Sequence, residues 1–312
     1  MKKRKYLSIL LAILFLGTAC RKDYNLEVPL FEVTANKTNV VVNEPVEFAF
    51  RGVPDNISFY SGEPGKEYVN TQRSSAPNAR NIIHFTTQLT ALAAGNTGQI
   101  DNLRLFVSND FSGSVDSAGI RNATWTDITS RAKFPAANST AATISDSVNV
   151  ADFRNSRDTL FLAFRYRSTI NSAASRARRW TMSKFIFQNK FPNGTVFTHG
   201  TIDTDNKLAG FNSFSYKGTS VKDSLKWSFS TSATFEAGVD GLSDEDWLIS
   251  RGFKASAVTP DKAVGIKKFS AVIENYSYAF TKPGTYIVTF VANNATGAGV
   301  KEVVKQLTIK VN

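Results

Sequence analysis

Cysteine, histidine and methionine are nearly absent from this chain, at one, two and two residues in 312. The single cysteine, Cys20, excludes a disulfide within the chain. The two histidines, His84 and His199, are distant from each other and neither stands in a nucleophile context, which excludes a recognisable serine or cysteine triad. The same scarcity starves a transition-metal site, whose ligands are chiefly imidazole and thiolate. His84, between Ile83 and Phe85 in an apolar run, reads as an ordinary strand histidine. Sustained helical periodicity is missing beyond the amino terminus, and so is a composition that would leave the chain disordered.

What is present is aromatic and β-branched. Phenylalanine contributes 24 residues, and 42% of the chain is hydrophobic against 20% charged, enough for one large or two ordinary domains. The formal charge is +11, and removing the four cations of residues 2–5 leaves +7. Arg165, Arg167, Arg176, Arg178 and Arg179 are the one concentration of cations in the rest. A nucleic-acid partner is not expected, since there is neither a dense basic stripe nor a known motif.

The first residues are Met1-Lys2-Lys3-Arg4-Lys5, an apolar run from Tyr6 to Leu16, then Gly17-Thr18-Ala19-Cys20. A basic start, a short apolar stretch and small residues before a cut are the parts of a secretory signal. The run is too short for a bilayer span, which takes about twenty residues. Leu16-Gly17-Thr18-Ala19-Cys20 resembles a bacterial lipobox, with its leucine one place early. That resemblance implies a signal peptide over 1–19 and acylation of Cys20, with several acyl chains for stable anchoring. Residues 20–30 then form a polar tether, similar to the surface-export signals of Bacteroidetes lipoproteins.

From Phe31 the pattern is β. Val46, Phe48 and Phe50 alternate with polar or small neighbours, and Gly52–Asn56 forms a turn cluster before Ile57-Ser58-Phe59-Tyr60. Leu103, Leu105 and Val107 alternate, as do Leu162, Phe164 and Tyr166, then Tyr286, Val288, Phe290 and Ala292, then Leu307, Ile309 and Val311. The expected fold is all-β, built of sandwiches. Tyr276–Phe290 resembles the second half of a PKD-type immunoglobulin-like domain, and Phe31–Phe50 with Ile57–Glu63 resembles its first half. About forty-five residues cannot bury a core alone. The reading is therefore one discontinuous immunoglobulin-like sandwich, from 31–75 and 252–312, split by an insert over 76–251. The rival division is a separate carboxy-terminal domain beginning near Ser215, with Trp227-Ser228-Phe229 as its central strand.

The insert resembles galactose-binding-like jelly rolls at Leu103–Phe111, Ala123–Ile128, Phe161–Tyr166 and Trp180-Thr181-Met182. Ser183-Lys184-Phe185 stands where that family often has Ile-Asp-Asn, so the aspartate's ligand role does not carry over. As a whole the chain resembles Bacteroidetes lipoproteins with a domain of unknown function (DUF 5017), at Phe59–Tyr68, Trp247–Ser250 and Pro260–Lys267. The resemblance implies an outer-membrane, lipid-anchored protein at the cell surface, commonly encoded beside glycan-uptake systems and with no established activity.

Candidate sites follow from these parts. A glycan site needs an exposed aromatic with hydrogen-bonding neighbours, and Trp180 with Arg178, Arg179 and Arg165 is the leading expectation. Glu63, Lys66 and Tyr68 in the Gly-Glu-Pro-Gly loop form a second surface, which also reads as a hinge. No cofactor is expected, although calcium is weighed at Asn109, Asp110 and Asp116 and at the cluster Asp240, Asp244, Glu245 and Asp246. Asp203–Leu208 begins like a calcium loop and fails at Lys207 and Leu208. Asp116-Ser117, Asp146-Ser147, Asp158-Thr159 and Asp223-Ser224 resemble Bacteroidetes O-glycosylation sites. The expected function is non-catalytic carbohydrate binding at the membrane, with a glycan and an outer-membrane uptake complex as partners. An adhesive protein-binding module and a glycan hydrolase working through paired carboxylates are the alternatives.

Overall fold

The computed structural model describes residues 26–136, 139–201, 210–217, 227–229, 232–235 and 240–312. The expected signal peptide, Cys20, the start of the tether, the loop Asp203–Leu208 and the motif Asp223-Ser224 lie outside the described residues. Four strands come first: β1 (Glu32–Ala35), β2 (Asn39–Val40), β3 (Pro45–Arg51) and β4 (Asn56–Tyr60). There follow β5 (Arg80–Leu89), β6 (Leu103–Ser108), β7 (Thr126–Asp127), β8 (Thr143–Ile144), β9 (Val148–Asn149), β10 (Thr159–Ser168) and β11 (Trp180–Lys190). Then come β12 (Val196–Thr201), β13 (Asn212–Lys217), β14 (Ser228–Phe229), β15 (Ala233–Phe235), β16 (Asp244–Ile249) and β17 (Phe253–Lys254). The chain ends with β18 (Val264–Lys267), β19 (Asn275–Ala279), β20 (Gly284–Thr296) and β21 (Gly299–Val311). One short α-helix, α1 (Ser117–Asn122), and three 3-10 turns, at Tyr68–Asn70, Thr129–Arg131 and Ala151–Phe153, are the helical segments among the described residues. No described helix is long and apolar enough to cross a membrane.

The described residues fall into two compact units, one of residues up to Thr71 with Asp261–Asn312, the other of Gln72–Pro260. In the first, β1, β3 and β19 make one sheet and β18, β4, β20, β21 and β2 the other. β3 pairs with β1 and β19, and β4 with β18 and β20, so each sheet draws strands from both ends of the sequence. Period-2 alternation buries Val46 and Phe48, Ile57 and Phe59, Val288 and Phe290, and Ile309 and Val311 in one core. The rings of Phe48 and Phe59 each approach Phe290 to 5.1 Å. Each such phenylalanine contributes about 1.5–3 kcal/mol by leaving water. Near the start of β20, the Tyr286 hydroxyl donates back to the Lys282 carbonyl at 2.9 Å and ties the preceding turn to the strand.

The second unit has the sheets β13-β16-β10-β6-β7 and β14-β15-β11-β5-β8. Leu103, Leu105 and Val107 of β6 and Leu162, Phe164 and Tyr166 of β10 are buried against Phe85 of β5 and Met182 and Phe187 of β11. A register shift between Ser183 and Ile186, with Lys184 at φ 53°, changes the phase of β11. Trp180 and Met182 face the core before it, Phe185 and Phe187 after it. The chain is all-β, in sandwich-like arrangements of antiparallel sheets.

Candidate functional site

One face of the second unit's β6–β10–β16 sheet fills the core, and the outer face divides in two. Alternation along β10 sends Ala163, Arg165 and Arg167 outward while Leu162, Phe164 and Tyr166 fill the core. Register aligns Ala163 with Phe106 and Ile249, Arg165 with Arg104 and Trp247, and Arg167 with Glu245. The apolar half, Phe106, Ala163, Trp247 and Ile249, is packed with Phe111 and Ile120 and flanked by Trp125. Asp116 fixes the start of that cover, accepting from the Gly119 N–H at 2.7 Å as the cap of α1.

The charged half is open. Arg104, Arg165, Arg167 and Glu245 line a groove of about 940 Å³ with Gln99, Asp101, Thr169, Ser175 and Asp244. Gln99 ties the rim together, donating to the Ser175 carbonyl at 2.9 Å and accepting from the Thr169 N–H at 3.1 Å. Arg104 pairs with Asp127 at 2.9 Å, and Arg167 stands 3.8 Å from Glu245. Glu245 is itself oriented by the Trp247 indole N–H at 3.2 Å. Burial raises the Asp127 carboxyl, but hydrogen bonds from Thr129 and Arg104 outweigh it and hold the group below its usual range.

Arg165 differs from its neighbours. Its guanidinium lies 4.7 Å from the Phe106 ring centre and 5.6 Å from that of Trp247. Its Nε is buried without an acceptor, and no ion pair holds it among the described residues. Burial first, then the nearby Arg167 and Arg104 charges, depress its proton affinity, while Glu245 opposes them. The side chain still stays cationic at any ordinary pH. Arg104 sits directly across the ladder, a like-charge pairing that weakens a sheet.

Trp180, expected at a surface, is buried at 5% exposure, its indole N–H donating to Asn102 at 2.9 Å. As the first residue of β11 it faces the core whatever its charged neighbours do. Arg178 is buried too, donating twice to the Thr90 carbonyl, while Arg179 is exposed and Arg176 pairs with Asp240. The run of arginines is therefore not one patch: Arg165 and Arg167 line the groove, and Arg176, Arg178 and Arg179 line a separate hollow. In the first unit, Glu63 accepts from the Tyr278 and Ser61 hydroxyls, Lys66 lies 5.9 Å from the Tyr278 ring centre, and Tyr68 packs edge-on against Tyr60. Burial and Glu63 push the Tyr278 phenol up to about 12. That loop is bound into its own unit by these contacts.

Each calcium candidate near the helix has a partner within the fold. Asn109 donates to the Phe153 carbonyl, Asp110 accepts from Ser108 and Thr124, and Asp116 caps α1. No cluster of three metal-ligating side chains of the His, Cys, Asp and Glu types occurs among the described residues. Asp240 holds Asn171 and Arg176, and Asp244 and Asp246 are buried. Of the modification motifs, Ser147 is exposed and Ser117 and Thr159 are half-buried.

Sequence reading missed Arg104, Gln99 and Asp101. Arg104 stands on the polar phase of an alternating strand, which identifies an outward residue but not the strand that will lie beside it.

No curated protein matches the chain. A family model described as a domain of unknown function (DUF5017) matches residues 19–207, well over half of the sequence. The match takes in β1 to β12, including β6 and β10 beneath the groove, and stops before β16. The chain belongs to the DUF5017 family.

Proposed function

We propose that this is a lipid-anchored, non-catalytic protein of a Bacteroidetes cell surface, binding carbohydrate in its second unit as an accessory to outer-membrane glycan uptake. The open groove around Arg165 is the observation that carries the reading. Sugars are recognised by planar polar side chains held rigidly beside apolar surface, and guanidinium and carboxylate groups on a paired sheet, with the Gln99 amide at the rim, meet that need. The location half of the proposal draws on the signal-like start and on Cys20.

Affinity electrophoresis of the purified chain through gels containing plant, host and microbial polysaccharides tests binding. At least one polymer should retard the chain, and Arg165→Gln should restore its mobility; equal migration in every gel contradicts the proposal. Turnover of a polymer that stops on changing one carboxylate would replace it with a hydrolase. Cys20→Ser should move the protein from the membrane to the soluble fraction, and unchanged fractionation removes the anchor.

A second reading, a protein-binding module, is favoured by the first unit. There Val53 and Val272, exposed at 82% and 84%, line an open cleft of about 400 Å³. Envelope pull-downs with free sugar as competitor separate the two, because sugar should release only a carbohydrate-held complex.

A further inference from the structure

We infer that the ligand of the groove is an acidic glycan of low charge density, a chain bearing uronic acid whose carboxylate meets Arg165. This rests on the carbohydrate reading and narrows it. Three guanidiniums occupy one face of two neighbouring strands, with Arg104 directly opposite Arg165 and Arg167 two residues further along. Asp127 takes Arg104, and Glu245 lies beside Arg167. Arg165 keeps no carboxylate partner among the described residues, although it is half-buried and its Nε is sealed from water. The buried Nε is costly to maintain and lies beyond a ligand's reach, but the two Nη atoms are not buried with it, and a planar carboxylate arriving from solution meets them with two parallel hydrogen bonds.

The remaining groove residues set the density of charge that the site accepts. Asp101 and Glu245 line the same space as Arg165. Carboxylates accept hydrogen bonds from sugar hydroxyls and repel closely spaced anions. A nucleic acid or a heavily sulfated chain would bring several charges against them. A uronate brings one carboxylate to each acidic ring, with hydroxyls around it, and matches one unpaired cation among acids and amides. The rings of Phe106 and Trp247, tilted against each other beneath Arg165, hold the guanidinium in place, so the fork is set before the ligand arrives.

The test is isothermal titration of the full chain with oligogalacturonate, alginate and hyaluronan oligosaccharides, each beside its methyl ester, with dextran and heparin as references. At least one free acid should bind, and its methyl ester should bind on the order of tenfold more weakly or worse. Arg165→Gln should cost a similar factor against the acid and nothing further against the ester. The ester arm uses the unaltered protein, so it decides even where the variant folds poorly. Equal affinity for acid and ester, or binding of dextran alone, overturns the acidic ligand and leaves the carbohydrate reading standing. Heparin or phosphatidylglycerol vesicles binding more tightly than every uronate overturns it in favour of a general polyanion surface. Silence towards every glycan removes both.

Discussion

If Arg165 is held for a ligand, the empty fold should gain from its loss. Arg165→Met keeps the length and much of the ring contact while removing the charge. The stacking lost is about 1 kcal/mol, and a thioether against Phe106 and Trp247 returns about 0.3–1.5 kcal/mol of it. Removing the like charge opposite Arg104 relieves about 0.2–1 kcal/mol. Removing the buried, unpaired Nε relieves about 1–3 kcal/mol. The net expectation is a gain of about 0.5–4.5 kcal/mol, and each kcal/mol raises the melting temperature of a unit this size by roughly 2–4 °C. Urea unfolding followed by tryptophan emission measures it. All four tryptophans, Trp125, Trp180, Trp227 and Trp247, lie in the second unit, so the signal reports on that unit alone. A loss exceeding about 1 kcal/mol would make Arg165 a structural group and refute the reasoning.

Three further perturbations address the same unit. His199 packs against Phe187 and Phe253, and burial with the nearby Arg251 charge lowers its pKa to about 4. It is thus neutral in the fold, and the stability that this brings is present above about pH 6.5 and is lost as the pH falls towards 4. The full shift would be about 3 kcal/mol. Solvent reaching the half-buried ring reduces this to about 1–2 kcal/mol. Unfolding at pH 7 and pH 4.5 should show it, and His199→Gln should flatten the slope; an unchanged slope assigns it elsewhere. A Cβ at Gly119 would overlap the Ser114 carbonyl oxygen, so Gly119→Ala should lower stability by about 1–3 kcal/mol in the same urea assay, and a neutral result would contradict the packing of α1. Asn189 donates to the Lys254 and Ala257 carbonyls and accepts from Asn81 at 2.7 Å, all of them buried or nearly so. Asn189→Leu should cost about 3 kcal/mol, and a loss below 1 would show that the clamp is dispensable.

Much of the fold was legible in period-2 patterns, because sheet faces follow from the chain itself. Val46 and Phe48, or Leu162, Phe164 and Tyr166, are buried as their alternation demands. The site was less legible, since its parts meet only through pairing at long range. Arg104 and Arg165 are sixty-one positions apart and face each other through register alone. Trp180 is not a surface residue because its side chain is set by strand phase and by Asn102 far upstream, and its neighbours Arg178 and Arg179 carry no information on either. Arg178 misled for a related reason: a guanidinium can be buried when a carbonyl such as that of Thr90 receives it, and composition cannot show that carbonyl. The bulge at Lys184 was invisible as well, since a non-glycine residue in the left-handed region carries no local signature.

The groove is proposed to hold a saccharide at Arg165. Nitrogen-15 spectra of the arginine side chains, recorded while oligogalacturonate is titrated into the chain, test it at that atom. The Arg165 Nε–H resonance should move and saturate, while that of Arg131, committed to Asp152, stays in place. If saturating ligand shifts other arginines and leaves Arg165 unmoved, the groove is not the site.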